Sequence, residues 1–287
     1  MRGHRVSRLF GGAALVLLIP LVAACGARSV ASQPTPTATA TSTATPTPSP
    51  TATLTPTPRP TPRPTTPPPP PSACTLPPGV QPVSSVAFGS FVTSTRAVVL
   101  AFDSDGGSVG NASAYLDILA AHGIHASWFL TGDFARANPN IVLRLVSQGQ
   151  DIGNHTLDHP DLISPARSDS FVCSELNQAN NIIASVSGHT TRPYFRPPYG
   201  DYNTQTRTLA AGLGYRTILW DIDPRDWDSS TTVQDILDRT LNSPNLHPGA
   251  IILMHVNSPN ERYALDKVIT GLQQRGYAIV PLRYFMG

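Results

Sequence analysis

From residue 96 onward, short apolar segments alternate with longer segments in which apolar residues recur every three to four positions. The first pattern predicts β-strands, and the second predicts amphipathic α-helices. Strands are predicted at residues 96–102, 124–130, 151–154, 194–196, 215–222, 250–255 and 277–282. Helices are predicted at residues 111–122, 139–148, 164–187, 203–213, 231–241 and 260–275.

Five predicted helices are followed by a glycine, the residue that a helix C-terminus favours. These are Gly123, Gly149, Gly188, Gly214 and Gly276. Alternation of strands and helices, with strands that are apolar almost throughout, predicts an α/β fold whose parallel sheet is covered on both faces. Seven strands are one fewer than a closed barrel needs, so we predict a distorted or incomplete (β/α) barrel with about seven parallel strands.

The first 25 residues are typical of an export signal. Basic residues come first, and an apolar run from Ala13 to Leu21 follows that is too short to span a bilayer comfortably. The run ends in Val22-Ala23-Ala24-Cys25, which resembles a bacterial lipobox, so we expect Cys25 to carry lipid. Ordinary signal cleavage, with Cys25 incidental, is the alternative.

Residues 26–73 form a predicted linker. Most of the 30 prolines of the 287-residue chain precede residue 80, interspersed there with Thr, Ala and Ser. Such a segment has little apolar surface to bury and favours extended geometry, so some 40 residues span roughly 100 Å. We therefore expect one folded domain at residues 74–287, outside the cytoplasm and held to the cell membrane by a lipid anchor.

Charge and cysteine content limit the possible partners. The formal net charge is only +2, which gives no reason to expect nucleic acid. We expect a monomer.

Cys74 and Cys173 are the two cysteines that remain after Cys25, in a compartment where disulfides persist. A disulfide between them would tie the start of the domain to a later helix. Pairing requires that their Cα atoms come close, which the sequence leaves open.

Polar side chains gather where the predicted strands end, which is where barrel enzymes of this class carry their sites. Segments of this kind follow the first, third, fourth, fifth and sixth strands. They are residues 102–107, 154–160, 196–200, 221–227 and 253–255.

Two of these segments contain possible metal ligands. His155 and His159 are four residues apart, so one helical turn would bring both imidazoles to one side, where a divalent metal takes a nitrogen from each. Asp103 and Asp105 precede two glycines, and one carboxylate can complete the metal site while the other acts as a general base. Taken separately, the histidines also fit an exposed loop, and the aspartates fit a solvated turn.

The ordered set resembles the polysaccharide deacetylases of carbohydrate esterase family 4. That family has five motifs: Thr-Phe-Asp-Asp-Gly, His-(Ser/Thr)-x-x-His, Arg-x-Pro-Tyr, Asp-x-x-Asp-Trp and Leu-x-His. Here they occur in the same order at residues 101–106, 155–159, 196–199, 223–227 and 253–255. The resemblance covers residues 96–282, and its specificity lies in order and spacing.

The resemblance implies a role for each matching residue. It makes Asp103 the general base, Arg196 the cation that orients Asp103 and holds its pKa low, and His155 and His159 metal ligands beside one further aspartate.

On the other side of the site, the resemblance makes His255 the general acid, with Asp226 holding its imidazole and raising its pKa. Tyr199 would give a backbone N–H to the oxyanion, and Trp227 and Leu253 would wall the pocket for the acetyl methyl group.

One departure concerns the first motif. The family has adjacent aspartates, whereas Ser104 lies between Asp103 and Asp105 in this chain. The metal carboxylate is therefore either Asp105 on a remodelled loop or missing, and we favour Asp105.

These observations predict a metal-dependent hydrolase that removes N-acetyl groups from a cell-wall or extracellular polysaccharide. One divalent metal is expected, zinc first, with cobalt, nickel or manganese as alternatives. Competing readings are an O-acetyl esterase acting on acetylated xylan, a non-catalytic surface glycan-binding relative, and a zinc-binding lipoprotein. The last would need no general base and would be expected to have two similar lobes, which the sequence lacks.

If Cys25 carries lipid, Cys25→Ser should release the protein from membranes and leave the activity of the domain unchanged, because the linker separates the two. Fractionation of cells that produce either form measures this. Retention of the variant in the membrane fraction would point to a different anchor.

Overall fold

The structure is a computed structural model, and it describes residues 74–286. The predicted signal peptide, Cys25 and the linker 26–73 lie outside these residues. Within the described part of the chain, no helix has both the length and the apolar character needed to cross a membrane.

Strands and helices alternate as the sequence predicts. The strands are β1 (Ala87–Phe88), β2 (Ala97–Ser104), β3 (Ser127–Leu130), β4 (Asp151–Asn154), β5 (Tyr194–Phe195), β6 (Arg216–Ile218), β7 (Ile251–His255) and β8 (Ala278–Ile279). The α-helices are α1 (Ala112–Ala121), α2 (Gly132–Ala137), α3 (Pro139–Ser147), α4 (Asp169–Ser187), α5 (Thr204–Gly212), α6 (Val233–Leu241), α7 (Glu261–Gln274) and α8 (Arg283–Met286). All five helix-closing glycines have the positive φ that this position requires.

The sheet is parallel and nearly closed. Its order is β1-β6-β5-β4-β3-β2-β7, with β8 paired to β2 off this path. In the described part of the chain, isolated bridges join the two ends of the sheet, Ser90 with Ala250 and Ile222 with Ile252. The amide of Leu253 donates to the carbonyl oxygen of Ile222 at 2.9 Å across this seam. The prediction of an α/β fold with an incomplete barrel is confirmed.

Several element boundaries differ from the prediction, for local reasons. The helix predicted to start at residue 164 begins at Asp169, because the Ser168 side chain accepts the amide of Phe171 and caps it there. The hydrophobic pattern did not predict α2. The N-cap of this helix is Thr131, whose side chain accepts the amide of Phe134. The pattern also missed β1 and α8, which have two and four residues and are too short to show a period.

Alternation along β2 separates two apolar layers. All eight of its residues are buried. Val98, Leu100 and Phe102 pack in the large cluster that includes residues of the surrounding helices. Val99 and Ala101 belong to a second cluster with Phe129, Tyr194, Ile218, Ile251 and Leu282. Apart from Leu282, the buried members of this second cluster lie on strands of the sheet. This second cluster forms the inside of the barrel.

The disulfide left open by the sequence is present. Cys74 and Cys173 are bonded, with Cα atoms 5.0 Å apart. Cys173 lies on the buried face of α4, so the bridge ties the first described residue to a central helix.

Candidate active site

The inward-facing positions of the strands continue past the barrel core into one pocket that contains several ionisable side chains. Successive same-side residues on a strand are two positions apart. Beyond Ala101 the next such positions are Asp103 and Asp105, and beyond Ile251 they are Leu253 and His255. Likewise Tyr194 is followed by Arg196 and Ile218 by Trp220. A pocket of about 440 Å³ lies there, lined by Asp103, Asp105, His155, His159, Tyr199, Gly200, Trp220, Asp223, Trp227, Leu253 and His255.

A buried ion pair lies beneath this pocket. Nη1 of Arg196 donates to Oδ1 of Asp103 at 2.7 Å, and both residues are almost fully buried. The other guanidinium nitrogens donate to backbone carbonyls of Ile218 and Leu219 at the end of β6. The guanidinium also lies over the Phe129 ring, 4.2 Å from its centre. Arg196 therefore holds Asp103 through Oδ1, and Oδ2 of Asp103 makes no hydrogen bond to Arg196.

The pKa of Asp103 corrects one expectation. Burial raises the pKa of this carboxyl above its ordinary value, and the positive charge of Arg196 opposes that rise without cancelling it. The expectation that Arg196 would hold this pKa low is therefore wrong in net direction. A raised pKa makes the carboxylate a stronger proton acceptor than an exposed aspartate.

His155 and His159 lie side by side, but not on a helical turn. The segment from His155 to Pro160 is irregular, and both Thr156 and His159 have positive φ, at 70° and 65°. Asn154 accepts the amide of Thr156, and the Thr156 hydroxyl accepts the amide of His159. The predicted helical turn is wrong; a tight loop held by side-chain acceptors brings the ring centres to 4.8 Å.

The tautomer of His155 follows from its partner. Nδ1 of His155 lies 2.8 Å from the carbonyl oxygen of Arg196, and a carbonyl can only accept, so Nδ1 carries the proton. Nε2 therefore presents a lone pair. Burial, assisted by the charge of His159, lowers the pKa of His155 to about 3. The ring is neutral at ordinary pH, which is the state that a metal ligand needs.

The inserted Ser104 is the last residue of β2, so the insertion lies in the strand and not in a remodelled loop. Ser104 pairs with Leu130, is fully buried, and its hydroxyl lies 3.4 Å from the Phe129 carbonyl and 3.3 Å from the Thr131 amide. Asp103 and Asp105 consequently stand two positions apart and project to the same side. Nδ2 of Asn257 donates to the backbone carbonyl of Asp105 at 3.1 Å and holds the strand end.

Asp105, His155 and His159 form the group of side chains suited to a metal ion. Their ligand atoms lie within 4.8 Å of one another, and Oδ1 of Asp105 is 3.5 Å from Nε2 of His159 and 3.8 Å from Nε2 of His155. Ligands of a tetrahedral zinc ion, at about 2.0–2.2 Å from it, lie roughly 3.4 Å apart. Among residues 74–286, Oδ1 of Asp105 is buried and has no hydrogen-bond partner. These residues fit a divalent cation.

His255 and Asp226 form a second pair on the opposite wall. Asp226 accepts both the backbone amide and Nδ1 of His255, at 2.7 and 2.8 Å, so Nε2 faces the pocket. Burial alone lowers the pKa of His255. The hydrogen bond and negative charge of Asp226, with smaller contributions from Asp103 and Asp105, outweigh burial and raise this pKa to about 9. His255 is therefore protonated at neutral pH.

The rim combines exposed aromatic side chains with a buried floor. Tyr199 and Trp227 are more than half exposed, whereas Leu253 is buried. Trp220 lines the pocket and lies against Gly200, where a Cβ atom would lie 2.6 Å from the Trp220 ring. Asp223 also lines the pocket and had no role assigned, although its position in the Asp-x-x-Asp-Trp motif could have indicated one.

Left-handed backbone is concentrated around this pocket. Within residues 74–286, the non-glycine residues with positive φ are Thr156, His159, Tyr199 and Arg225. All four lie in the segments that carry the pocket side chains. Such conformations cost of order 1–3 kcal/mol each and persist where the surroundings impose them.

The chain resembles known proteins in both sequence and structure. Residues 92–218 match the family model described as polysaccharide deacetylase. A chitooligosaccharide deacetylase of Sinorhizobium fredii is 33% identical over 200 residues, which cover 65% of this chain and 90% of that protein.

Two solved structures resemble the fold. Bacillus subtilis PdaA, a family 4 carbohydrate esterase, superposes with a TM-score of 0.65 at 30% identity, covering 70% of this chain and 85% of that one. BA3943 of Bacillus anthracis, a pseudoenzyme of the same family, superposes with a TM-score of 0.64 at 26% identity, covering 71% of this chain and 70% of that one. With this fold and the five motifs converging on one pocket, the chain belongs to the polysaccharide deacetylases of carbohydrate esterase family 4.

Proposed function

We propose that this protein is a metal-dependent hydrolase that removes N-acetyl groups from a cell-wall or extracellular polysaccharide of the peptidoglycan or chitin type. The observation that carries the proposal is the convergence of three features on one pocket. These are a carboxylate held by a buried arginine, a three-residue cation site, and a protonated histidine on the far wall.

Asp103 is the general base. Its Oδ1 is occupied by Arg196, so Oδ2 is the oxygen available to take a proton from the attacking water. The fixed guanidinium keeps this carboxylate from turning away. Water adds to the acetyl carbonyl carbon, and the backbone N–H of Tyr199 donates to the oxygen that becomes negative.

His255 is the general acid. The C–N bond breaks only if the departing amine gains a proton, and Nε2 of His255 supplies it because Asp226 holds the ring through Nδ1. Leu253 and Trp227 form the walls beside the acetyl methyl group. Acetate and the free amine of the sugar are the products.

Asp105, His155 and His159 would hold the cation. A bound divalent ion supplies positive charge that polarises the carbonyl and favours ionisation of water. Two imidazoles and one carboxylate suit zinc, with cobalt, nickel and manganese as alternatives.

The substrate class is inferred from relatives and from the pocket opening. The relative from Sinorhizobium fredii is named a chitooligosaccharide deacetylase, and PdaA is named a peptidoglycan-N-acetylmuramic acid deacetylase. Tyr199 and Trp227 at the rim offer flat apolar faces of the kind on which sugar rings stack.

We propose that the domain acts outside the cytoplasm as a monomer. The Pro/Thr linker would connect it to a lipid attached to Cys25.

The purified protein should release acetate from acetylated chitooligosaccharides or peptidoglycan, lose this activity with a chelator, and regain it with zinc. Acetylxylan tests the O-acetyl alternative. His159→Ala should lose both metal and activity, because it removes one ligand. Lys267→Ala, at an exposed position on α7, is the control. Acetate release only from acetylxylan, or none from any substrate with metal bound, would overturn the proposal.

Asp103→Asn and His255→Ala should each lower turnover by about 10² to 10⁴-fold with the metal still bound, because each removes a proton-transfer group. Loss of His255 should lower the turnover of an activated acetyl ester less than that of an N-acetyl amide, because the leaving group of the ester departs without a proton. Metal content and turnover are measured on the same preparations. Loss of metal in Asp103→Asn but not in Asp105→Asn would show that the two aspartates are assigned the wrong way round.

Activity on the amide should fall as the pH rises through about 9, because His255 must be protonated to act as the acid. Asp226→Asn removes the charge that raises this pKa, so the alkaline limb of kcat/KM should move to lower pH. The pH profile of both proteins measures this. An unchanged limb in Asp226→Asn would assign the limb to a different group.

A further inference from the structure

The loop between the two metal-site histidines receives a hydrogen bond acceptor from helix α4. Glu175 lies on α4 and is buried, and its Oε2 accepts the backbone amide of Leu157 at 3.0 Å. Leu157 stands two residues after His155 and two residues before His159. The carboxylate therefore holds the middle of the segment that carries both imidazoles.

The peptide groups around Leu157 are held from two helices. The carbonyl oxygen of Leu157 accepts the amide of Asp133 at 3.0 Å, and the carbonyl oxygen of Thr156 accepts the amide of Gly132 at 3.0 Å. Both donors belong to the start of α2, and a Cβ atom on Gly132 would lie 2.8 Å from Cδ1 of Leu157. Helix α2 thus donates to the carbonyls of the loop, while Glu175 of α4 accepts from its amide.

The turn of α4 that carries Glu175 is itself fixed at two points. Cys173, two residues before Glu175, forms the disulfide with Cys74. The carbonyl oxygen of Leu176 accepts Nδ2 of Asn154 at 2.8 Å, and Asn154 ends the strand that leads into the loop. The carboxylate of Glu175 is therefore presented to the loop from a helix turn that is tied to β4.

The conformation of the loop depends on such acceptors. Thr156 and His159 have left-handed backbone, which persists only where the surroundings impose it. Their amides are accepted within or next to the loop, by the side chains of Asn154 and Thr156. The amide of Leu157 takes its acceptor from another helix, and a buried amide that loses its acceptor is costly. A hydrogen bond to a charged acceptor is also stronger than one between neutral groups.

We propose that Glu175 is a positioning residue of the metal site, whose carboxylate fixes the loop so that the imidazoles of His155 and His159 converge on one cation. This inference rests on the metal site of the proposed function. Glu175 is not a ligand in this role and moves no proton. Loss of a group that orients metal ligands from outside the ligand set typically weakens metal binding by about 10- to 100-fold.

The zinc affinity of the full chain tests this role without any substrate. E175L removes the acceptor and leaves a side chain of similar size, so the Kd for zinc should rise by about 10- to 100-fold. E175Q keeps an oxygen acceptor at the same reach and should bind zinc nearly as tightly as the wild type. Competition with a chromogenic chelator measures these constants. Q178L, at an exposed position of the same helix, is the matched control and should bind as the wild type does.

Hydrogen exchange in the metal-free protein tests the loop itself. Mass spectrometry of peptides that span residues 155–160 should show faster amide exchange in E175L than in the wild type and E175Q, because local opening becomes easier. L119A removes buried side-chain volume on α1 and lowers stability elsewhere in the core, so its zinc affinity should stay unchanged. If E175L does not fold, E175A removes the same acceptor with less bulk and repeats the comparison.

Three results would overturn the proposal. The first is a wild-type zinc affinity in E175L. The second is an equal loss of affinity in E175Q and E175L, which would assign the effect to the charge of Glu175. The third is an equal loss in L119A, which would assign it to stability alone.

The same measurements separate this role from the proposed reaction. If zinc binds and E175L weakens it, but no substrate releases acetate, the role of Glu175 stands and the proposed hydrolysis fails. If the wild type binds zinc and E175L has no effect, the role of Glu175 fails and the proposed hydrolysis stands. If the wild type binds no zinc, both are wrong.

Discussion

The ion pair between Asp103 and Arg196 connects residues from three strands beneath this pocket. Arg196 reaches Asp103 on β2 and the carbonyls of Ile218 and Leu219 after β6, while its own carbonyl accepts Nδ1 of His155. Arg196 thus fixes Asp103 through its side chain and the tautomer of His155 through its carbonyl, and it joins both residues to the end of β6. Removing one partner of such a buried pair typically costs 3–5 kcal/mol, because the other charge is left uncompensated.

The alternation of side chains along each strand places the pocket residues at the mouth of the barrel. The same period that places Val99 and Ala101 inside the barrel places Asp103 and Asp105 at its mouth. A single inserted residue would ordinarily move every later side chain to the other face. Here Ser104 is the residue on the outer face, bonded to the end of β3, and the second aspartate returns to the inner face. The departure from the family motif therefore preserves both carboxylates through the geometry of an extended strand.

The sequence predicted those features that follow from a period or from a terminal residue. Strand and helix alternation predicted the parallel sheet, and glycines such as Gly188 predicted helix ends, because each is a local property. It could not predict the backbone at His155 to His159. That loop depends on acceptors from Asn154 and Thr156 and on left-handed residues that no period signals. Nor could it predict the net pKa of Asp103, because burial depends on contacts with distant segments.

The same dependence on burial sets opposite protonation states on the two walls of the pocket. His155 is buried and His255 is largely buried, and burial favours the neutral ring in each case. His155 meets a carbonyl and a neighbouring histidine and stays neutral, ready to bind a cation. His255 meets a carboxylate that accepts from its ring and its amide, and it becomes charged. A hydrolase of amides needs both states at one pH, because the carbonyl must be polarised while the amine is protonated. The difference arises mainly from Asp226, which accepts a hydrogen bond from the His255 ring, whereas the His155 ring donates to a neutral carbonyl.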